Sequence, residues 1–437
     1  MLATQNGVAL RYDLSQRLFH ARKQSDDLFA MVRGDSLYER PIPERHRIIF
    51  YLGHLEAFDW NLLHERVLGL RSLDPEFDRL FAFGIDPVGG GLPTDTASDW
   101  PSVNTVKDYV SRVRSSLDAP LAALTSELDG RTYDNFPLST LLNVAIEHRL
   151  MHLETLSYML HQLPLDRKIR QKERTHVGSS RLDHRMLEIP AGSVVLGLPR
   201  GGDEFGWDNE FDAHTIDVPA FSIDRHKVTN RQYAHFISAG GYETRSLWTD
   251  HDWNWRINHD ISHPVFWKRS NDRWLYRTMF DEIPLPLDWP VYVSQAEAKA
   301  YANWAGRSLP TEAEWQRAAT PATRNTNGAP EALRQFDDLN SRWNPGPVHA
   351  SDVESRFGVR DLFGNGWEWT STAFAPFPGF EPFPFYRGYS ADFFDGQHFV
   401  MKGGSPRTAA CMLRPTFRNW FQAHYQYVYA GFRCVGR

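Results

Sequence analysis

Two histidines one helical turn apart are the residues whose spacing most clearly suggests chemistry. His148 and His152 belong to a largely apolar stripe at helical spacing, within a predicted helix over Leu138–Leu163. The stripe directs both imidazoles toward the interior of a helical bundle, the arrangement by which one helix offers two donors to one metal ion. A pair of this kind alone is more often two core histidines than a metal site.

A third histidine strengthens the prediction of a metal site. His54 follows Gly53 on a second predicted helix, which runs from Pro43 to about Leu70. A glycine beside it allows close approach of a backbone or a ligand. Three inward histidines supply three neutral donors and leave coordination positions open. Because imidazole suits iron, zinc, nickel and copper, the donor type alone does not select the metal.

The residues before position 164 are predicted to form an all-α four-helix bundle. Apolar residues recur at helical spacing in four segments, which are Leu14–Val32, Pro43–Leu70, Ser102–Leu117 and Leu138–Leu163. Pro41 and Pro43 are placed where the second helix would begin. The stretch Phe81–Pro101 is rich in glycine and proline and is predicted to be a loop.

The pattern changes near residue 187 to short strands, turns and aromatic residues, which predicts an α+β domain. Two helices are expected within it, Ser294–Ala305 and Thr311–Ala319, and the second opens with a capping box. Thirteen of the 15 tryptophans follow residue 164, which indicates two differently built halves. Residues 164–186 carry seven Lys or Arg against three acids, and a solvated linker is favoured there over a site for an anionic partner.

Composition narrows the class of protein. Among 437 residues, 48 Lys and Arg oppose 54 Asp and Glu, and the net charge of −6 gives no support to nucleic acid as the main partner. No apolar run reaches the length of a membrane span, and the first thirty residues do not have the pattern of a signal peptide. Two cysteines, Cys411 and Cys434, fit a reducing compartment. We therefore expect a cytoplasmic protein with neither nucleic acid nor a membrane as partner.

The order of several motifs resembles that of the ergothioneine-biosynthesis sulfoxide synthases, the EgtB-like family. The motifs are Gly53-His54, Glu147-His148-x-x-x-His152-x-Glu154-Thr155-Leu156, Ile189-Pro190-Ala191-Gly192, Val228–Tyr233, Arg307–Trp315, Gly364–Thr370, Lys402–Ser405, Arg418–Trp420 and Ala430–Arg433. The resemblance implies a DinB-like helical domain over residues 1–163 and a linker over 164–186. Residues 187–437 would then form a formylglycine-generating-enzyme-like (sulfatase-modifying-factor) domain, which is C-type-lectin-like.

This family implies a mononuclear non-haem iron enzyme. Its members use Fe(II) and O2 to join a sulfur donor to C2 of the imidazole of hercynine, the trimethylated betaine of histidine. His54, His148 and His152 match the metal ligands. Asn419 and Trp420 match positions near hercynine, and the face of Trp420 suits a trimethylammonium group. A core role for this tryptophan is equally expected.

The chain departs from the best-known branch at positions that concern the sulfur donor. That branch holds γ-glutamylcysteine with an aspartate and an arginine, where this chain has Phe421 and Tyr425, and it has a glutamine in place of Met151. An aromatic pair cannot make the charge-assisted bonds that a dipeptide needs. The expected donor is therefore a selenosugar, as in selenoneine synthases, or free cysteine. Stacking of the pair on a sugar and simple packing are both open.

The family also uses a tyrosine as acid or hydrogen donor at the iron. Tyr386 and Tyr389 are the candidates in the proline-rich loop Pro376–Tyr389. For each of them taken alone, packing within that loop is the more common role.

Two other functions stay open. A DinB-type thiol transferase or hydrolase with zinc or nickel would use the same histidines, but it would leave the second half without a role. A non-catalytic ligand-binding module on the lectin-like fold would leave the three histidines unexplained.

Overall fold

A computed structural model describes residues 2–82, 92–123, 132–171, 184–202, 204–321, 343–351 and 353–437. The chain divides into two compact units, Met1–Gln171 and Lys172–Arg437. Residues 83–91 of the predicted loop and residues 172–183 of the predicted linker lie outside the described residues. The predicted order of a helical domain followed by an α+β domain is confirmed.

The first unit is a helical bundle. Its elements are α1 (Leu2–Phe29), α2 (Ile48–Leu63), α3 (Pro75–Leu80), α4 (Val103–Ala122), the short strands β1 (Thr132–Tyr133) and β2 (Phe136–Pro137), and α5 (Leu138–Gln162). Helix α1 packs along α5, and α2 packs against both α4 and α5. The two helices that carry the predicted metal ligands are therefore neighbours. No helix among the described residues is both long and apolar enough to span a bilayer.

The start of α2 is not where the sequence predicted it. The prolines precede a turn, and the helix begins only at Ile48. The backbone N–H of Ile48 donates to the Glu39 carbonyl at 3.1 Å, and the Arg47 guanidinium donates to the Tyr38 carbonyl at 2.6 Å. Because these bonds hold the preceding chain outside a helix, helical geometry starts after Arg47.

Other helix ends also differ from the prediction, and α1 spans Leu2–Phe29 in place of Leu14–Val32. Helix α2 ends at Leu63, where the His64 ring nitrogen Nδ1 lies 2.8 Å from the carbonyl of Trp60. Helix α4 continues beyond Leu117 and contains Pro120. A proline inside a helix removes one backbone hydrogen bond, and α4 ends two residues after this one.

The second unit combines short strands with short helices. Its strands are β3 (Met186–Ile189), β4 (Gly192–Leu196), β5 (His214–Val218), β6 (Phe221–Asp224), β7 (Trp267–Ser270), β8 (Arg273–Arg277), β9 (Glu282–Pro284), β10 (Trp367–Ala373), β11 (His398–Lys402), β12 (Asn419–Gln422), β13 (Ala430–Gly431) and β14 (Val435–Gly436). A four-stranded sheet has the order β12-β11-β10-β13, with β10 and β13 parallel. Smaller sheets have the orders β14-β6-β3, β7-β8-β9 and β4-β5.

Among the described residues, four α-helices interrupt these strands, and the sequence predicted two of them. The helices are α6 (Asn230–Ser238), α7 (Asp250–Asn258), α8 (Gln295–Trp304) and α9 (Glu312–Ala318). The predictions of α8 and α9 are confirmed, each with a capping box. Helices α6 and α7 were not predicted from the sequence. Thr229 and Thr249 cap the nine-residue helices α6 and α7, which are too short to show a long apolar stripe.

A buried carboxylate holds the centre of the second unit together. Glu368 on β10 lies 3.0 Å from the ammonium of Lys227 and 2.9 Å from Nε of Arg433, and it accepts the Trp315 indole N–H at 3.0 Å. Burial alone would raise the pKa of Glu368, but the two cations lower it below its usual value. The carboxylate is therefore ionised at neutral pH and links residues far apart in the sequence.

We expect Glu368→Gln to destabilise the second unit. The amide keeps the shape but removes the negative charge that two buried cations share, and loss of one partner of a buried pair costs about 3–5 kcal/mol. Urea unfolding followed by tryptophan fluorescence reports this unit, since 13 of the 15 tryptophans lie there. Glu188→Gln makes the same chemical change at an exposed position of β3, and equal unfolding midpoints for the two variants would contradict the assignment.

Candidate metal centre

Three histidines of the helical unit meet at one point. His54 comes from α2, and His148 and His152 come from consecutive turns of α5. The Nε2 atom of His152 lies 3.2 Å from Nε2 of His54 and 3.1 Å from Nε2 of His148. One ring nitrogen from each residue lies within 4.8 Å of the others. The structure thus brings the sequence-predicted ligands together with their nitrogens facing one another.

The orientation of His54 is set by a backbone carbonyl. Its Nδ1 lies 2.7 Å from the carbonyl oxygen of Phe81, which can only accept a hydrogen bond. Nδ1 therefore carries the proton, and Nε2 carries a lone pair. Gly53 makes this contact possible, because a Cβ at that position would lie 2.5 Å from the Phe81 ring.

Burial keeps the three imidazoles neutral. Their exposed fractions are 3%, 2% and 1% for His54, His148 and His152. Burial lowers the pKa of His54 to about 4 and lowers the pKa of each of the other two well below its ordinary value. Neutral imidazole is the form that binds a metal ion, so the rings are in the ligating state at neutral pH.

The spacing of the nitrogens fits one shared ion. For an ion about 2.1 Å from each nitrogen, bonds at right angles put the nitrogens about 3.0 Å apart and tetrahedral bonds put them about 3.4 Å apart. The two measured separations, 3.1 and 3.2 Å, lie between these values. A single N–H on His152 could donate fully to only one of its two neighbours, whereas one ion accepts all three lone pairs. The donor set therefore fits a metal ion.

Aromatic rings surround the cluster. Phe50 stacks on His54 with ring centroids 4.8 Å apart, and Phe58 stacks on His148 at 3.4 Å. The ring of Tyr51 lies 5.7 Å from that of His152. These side chains exclude water from most of the cluster, which strengthens any electrostatic interaction made there.

A buried ion network joins α2 to α5 beside the histidines. Arg149, directly after His148, donates to Glu56 Oε1 at 3.0 Å and to Asp59 Oδ2 at 2.7 Å. None of the three charged side chains is more than 1% exposed. Burial alone would raise the pKa of Glu56, but Arg149 and two further arginines lower it to about 2. Charge-assisted bonds thus tie the two ligand-bearing helices together near the cluster.

In the second unit, the predicted substrate residues are divided between the faces of β12. Side chains alternate along a strand, and Trp420 stacks on Phe374 with ring centroids 4.3 Å apart. The ring of Tyr389 meets Trp420 edge-on at 5.2 Å, and Tyr386 lies 5.5 Å from Tyr389. The structure therefore groups Trp420 with both predicted tyrosines.

Phe421 and Tyr425 form a separate pair. Their half-buried rings stack with centroids 5.0 Å apart and planes 14° apart. Asn419 lies two residues before Phe421 on the same strand and so shares its face, and its Oδ1 accepts the backbone N–H of Trp420 at 2.9 Å. Met151 is half-buried in α5 of the first unit.

Sequence reasoning missed the charged residues beside the histidines. The available signal was that Glu56 and Asp59 follow His54 by two and five residues in an otherwise apolar helix. It also missed a second group of possible metal ligands, His251, Asp252 and His424. The last of these is 172 residues from Asp252, so no local spacing could reveal the group.

Comparisons with known proteins place both units in families. Residues 17–156 match the DinB superfamily, and residues 173–437 match the sulfatase-modifying factor enzyme 1-like domain. The chain is 33% identical to hercynine oxygenase of Mycobacterium tuberculosis over 86% of this chain and 89% of that protein. It is 39% identical to hercynine oxygenase of Mycolicibacterium thermoresistibile, over 55% of this chain and 56% of that one. Identity to ergothioneine biosynthesis protein 1 of Neurospora crassa is 29%, over 93% of this chain and 55% of that protein.

A DinB helical unit with a buried histidine cluster, followed by a sulfatase-modifying-factor unit, defines a distinct class of two-domain enzyme. The chain belongs to the EgtB-like family, whose members include the hercynine oxygenases, and it is an oxidative enzyme of that type. The resemblance stated from the sequence motifs is confirmed.

We expect His148→Ala to lose tight Fe(II) binding while the helical content stays unchanged. The substitution removes one of three converging donors and leaves the ion network beside it intact. Iron retained after anaerobic dialysis, measured by elemental analysis, checks this, and the variant should hold one Fe(II) per chain fewer than the wild type. His64→Ala is the matched control, since His64 follows α2 outside the cluster. Full iron retention in His148→Ala would contradict the site.

Proposed function

We propose that this chain is a non-haem Fe(II), O2-dependent enzyme that joins a selenium or sulfur donor to C2 of the imidazole ring of hercynine. One observation carries the proposal: three buried, neutral imidazoles converge in a chain of the hercynine oxygenase family. The names of the relatives suggest the substrate, and the histidines suggest where the metal binds.

His54, His148 and His152 would hold the metal ion. Because all three donors are neutral, a bound Fe(II) would keep its full charge, attract an anionic chalcogen and supply the means to activate O2. The protein's own contribution is to fix the rings and to keep water away. Phe50 and Phe58 stack on two of the three rings, so the imidazoles have little freedom to turn.

Trp420 offers a contact for the trimethylammonium group of hercynine. Its ring is half-buried, and besides Phe374 it has Tyr389 and Phe393 at centroid distances of 5.2 and 5.6 Å. A quaternary ammonium cannot donate a strong hydrogen bond, and aromatic faces attract it through their quadrupoles. Asn419, the neighbour of Trp420 on β12, stays a predicted hercynine-binding residue, but its side chain shares the face of Phe421 and not that of Trp420.

Tyr386 is the better of the two candidates for the hydrogen donor. Burial, together with the Asp208 carboxylate, raises the pKa of Tyr386, so this phenol keeps its proton at neutral pH and is a poor proton donor, and a role as hydrogen-bond or hydrogen-atom donor suits it better. Tyr389 is buried and stacks on Trp207 with ring centroids 3.9 Å apart, which supports a packing role.

The overall reaction balances with one O2 when the product keeps one oxygen on the chalcogen. The imidazole C2–H bond and the S–H or Se–H bond break, and a C–S or C–Se bond forms. One oxygen atom goes to the chalcogen, and the other leaves as water with the two hydrogens. The four electrons that reduce O2 come from the two substrates, so no further reductant is needed.

A selenosugar is the proposed donor, with cysteine second. Phe421 and Tyr425 present aromatic surface where the best-known branch has an aspartate and an arginine. Aromatic rings can pack against the C–H face of a sugar, whereas neither residue can pair with the charges of γ-glutamylcysteine. Met151, in place of a glutamine before the last histidine, likewise offers no amide.

The proposed reaction predicts O2 uptake that depends on hercynine, Fe(II) and a donor together. The Fe(II)-loaded chain is mixed anaerobically with hercynine and a selenosugar, cysteine or γ-glutamylcysteine, and O2 is then admitted. Uptake and a product with a new bond at C2, seen by mass spectrometry, are expected with the first two donors. Transfer of a thiol with zinc or nickel, and no O2 uptake with iron, would instead support the DinB-type transferase.

The donor assignment predicts that charged residues at positions 421 and 425 change which donor is preferred. In Phe421→Asp/Tyr425→Arg, the kcat/KM for γ-glutamylcysteine should rise relative to that for the selenosugar. Two charge-assisted hydrogen bonds at about 1.5–3 kcal/mol each correspond to about a hundredfold or more.

Steady-state kinetics at fixed hercynine measures this ratio. Phe421→Ala/Tyr425→Ala is the control, because it opens the same space without charge. A wild-type kcat/KM for γ-glutamylcysteine at or above the other two would overturn the assignment. An equal gain in both double variants would show that space, and not charge, decides the donor.

A further inference from the structure

We propose that His251, Asp252 and His424 form a second site for a divalent transition-metal ion, separate from the histidine cluster of the helical unit. The first two residues lie in the first turn of α7, and His424 lies in the turn that follows β12. One possible ligand atom from each residue lies within 4.8 Å of the other two.

The positions of the three side chains are already fixed by contacts. Nε2 of His424 lies 2.8 Å from Asp252 Oδ1, and the His424 ring stacks on Trp255 with planes 3° apart. Asp252 Oδ2 accepts the hydroxyl of Thr249 at 2.6 Å. The ring of His251 lies 4.6 Å from that of His424. An ion would therefore meet donors that need little rearrangement, and preorganisation of this kind favours binding.

The charge of the group suits a cation. One carboxylate and two imidazoles form a mixed nitrogen and oxygen donor set, which suits Zn²⁺, Co²⁺ or Ni²⁺ better than Ca²⁺ or Mg²⁺.

The exposure of its residues distinguishes this group from an ordinary buried hydrogen-bonded pair. Asp252 is buried, His424 is half-buried and His251 is exposed, so an ion can enter from solvent. The pair of Asp252 and His424 alone could serve to hold the turn after β12. His251 is the residue whose presence distinguishes a metal site from such a structural contact, and its exposure makes it replaceable without damage to the core.

Equilibrium dialysis of the full chain against Zn²⁺ at neutral pH, with bound metal measured by elemental analysis, tests the proposal. The wild type should bind two equivalents. His251→Ala and His148→Ala should each bind one, and the double variant should bind none. His259→Ala is the matched control, because His259 is an exposed histidine that caps the other end of α7, and it should bind two.

This experiment tests the two proposed metal sites independently of each other. Two equivalents bound by His251→Ala, or one wild-type equivalent that depends only on His148, would overturn the second site. A single wild-type equivalent that is lost in His251→Ala and kept in His148→Ala would support the second site and count against the histidine cluster. Circular dichroism of each variant ensures that a loss of zinc is not a loss of fold, and His424→Asn, which keeps a hydrogen bond to Asp252, should also lose one equivalent.

Discussion

Lone pairs on neighbouring nitrogen atoms repel one another unless a proton or a cation lies between them. In the helical unit, three imidazole nitrogens face each other at separations of 3.1 and 3.2 Å in a place where burial keeps every ring neutral. Protonation would relieve the repulsion in water, but it is opposed here by desolvation. A neutral His152 can donate one N–H to only one of its two neighbours, whereas a shared ion would satisfy all three nitrogens, and the rest of the bundle holds α2 and α5 in position for it.

Buried ion pairs hold separate elements together in both units. Arg149 lies between Glu56 and Asp59 and ties α5 to α2, while Glu368 lies between Lys227 and Arg433 and ties β10 to distant segments of the second unit. Such pairs add little net stability over apolar packing, because desolvation of the charges opposes their attraction. What these pairs contribute is a defined geometry, because a charged side chain that is bonded to two fixed partners has few alternative positions.

The sequence predicted the parts of the fold that depend on long periodic patterns. The histidine stripe of α5 lies on a helix of 25 residues, so the inward direction of His148 and His152 could be predicted without a structure. The start of α2 could not, because it is set by bonds from Ile48 and Arg47 to residues outside the helix. Helices α6 and α7 were missed because nine residues are too few to establish a helical period of apolar residues. The only local signal for them was the threonine at each N-terminal cap.

The candidate site, like the fold, could be predicted only in part from the sequence. The convergence of the three histidines could be predicted, because their positions on two predicted helices indicated that all three face the interior of the bundle. The ion network could not, because a charged residue on a helix is usually exposed, and the packing of α4 and α5 against α2 buries Glu56 and Asp59. The split of Trp420 and Phe421 between two faces follows from strand alternation, but it required knowing that residues 419–422 form a strand.

The central claim is that three imidazoles of one helical bundle share a single iron ion. X-ray absorption at the iron K-edge of the anaerobic Fe(II)-loaded chain measures the number and kind of ligands directly. We expect the multiple-scattering pattern of three imidazole rings per iron, with no sulfur ligand before a donor is added. A first shell that lacks imidazole scattering, or one that is unchanged in His148→Ala, would contradict the account.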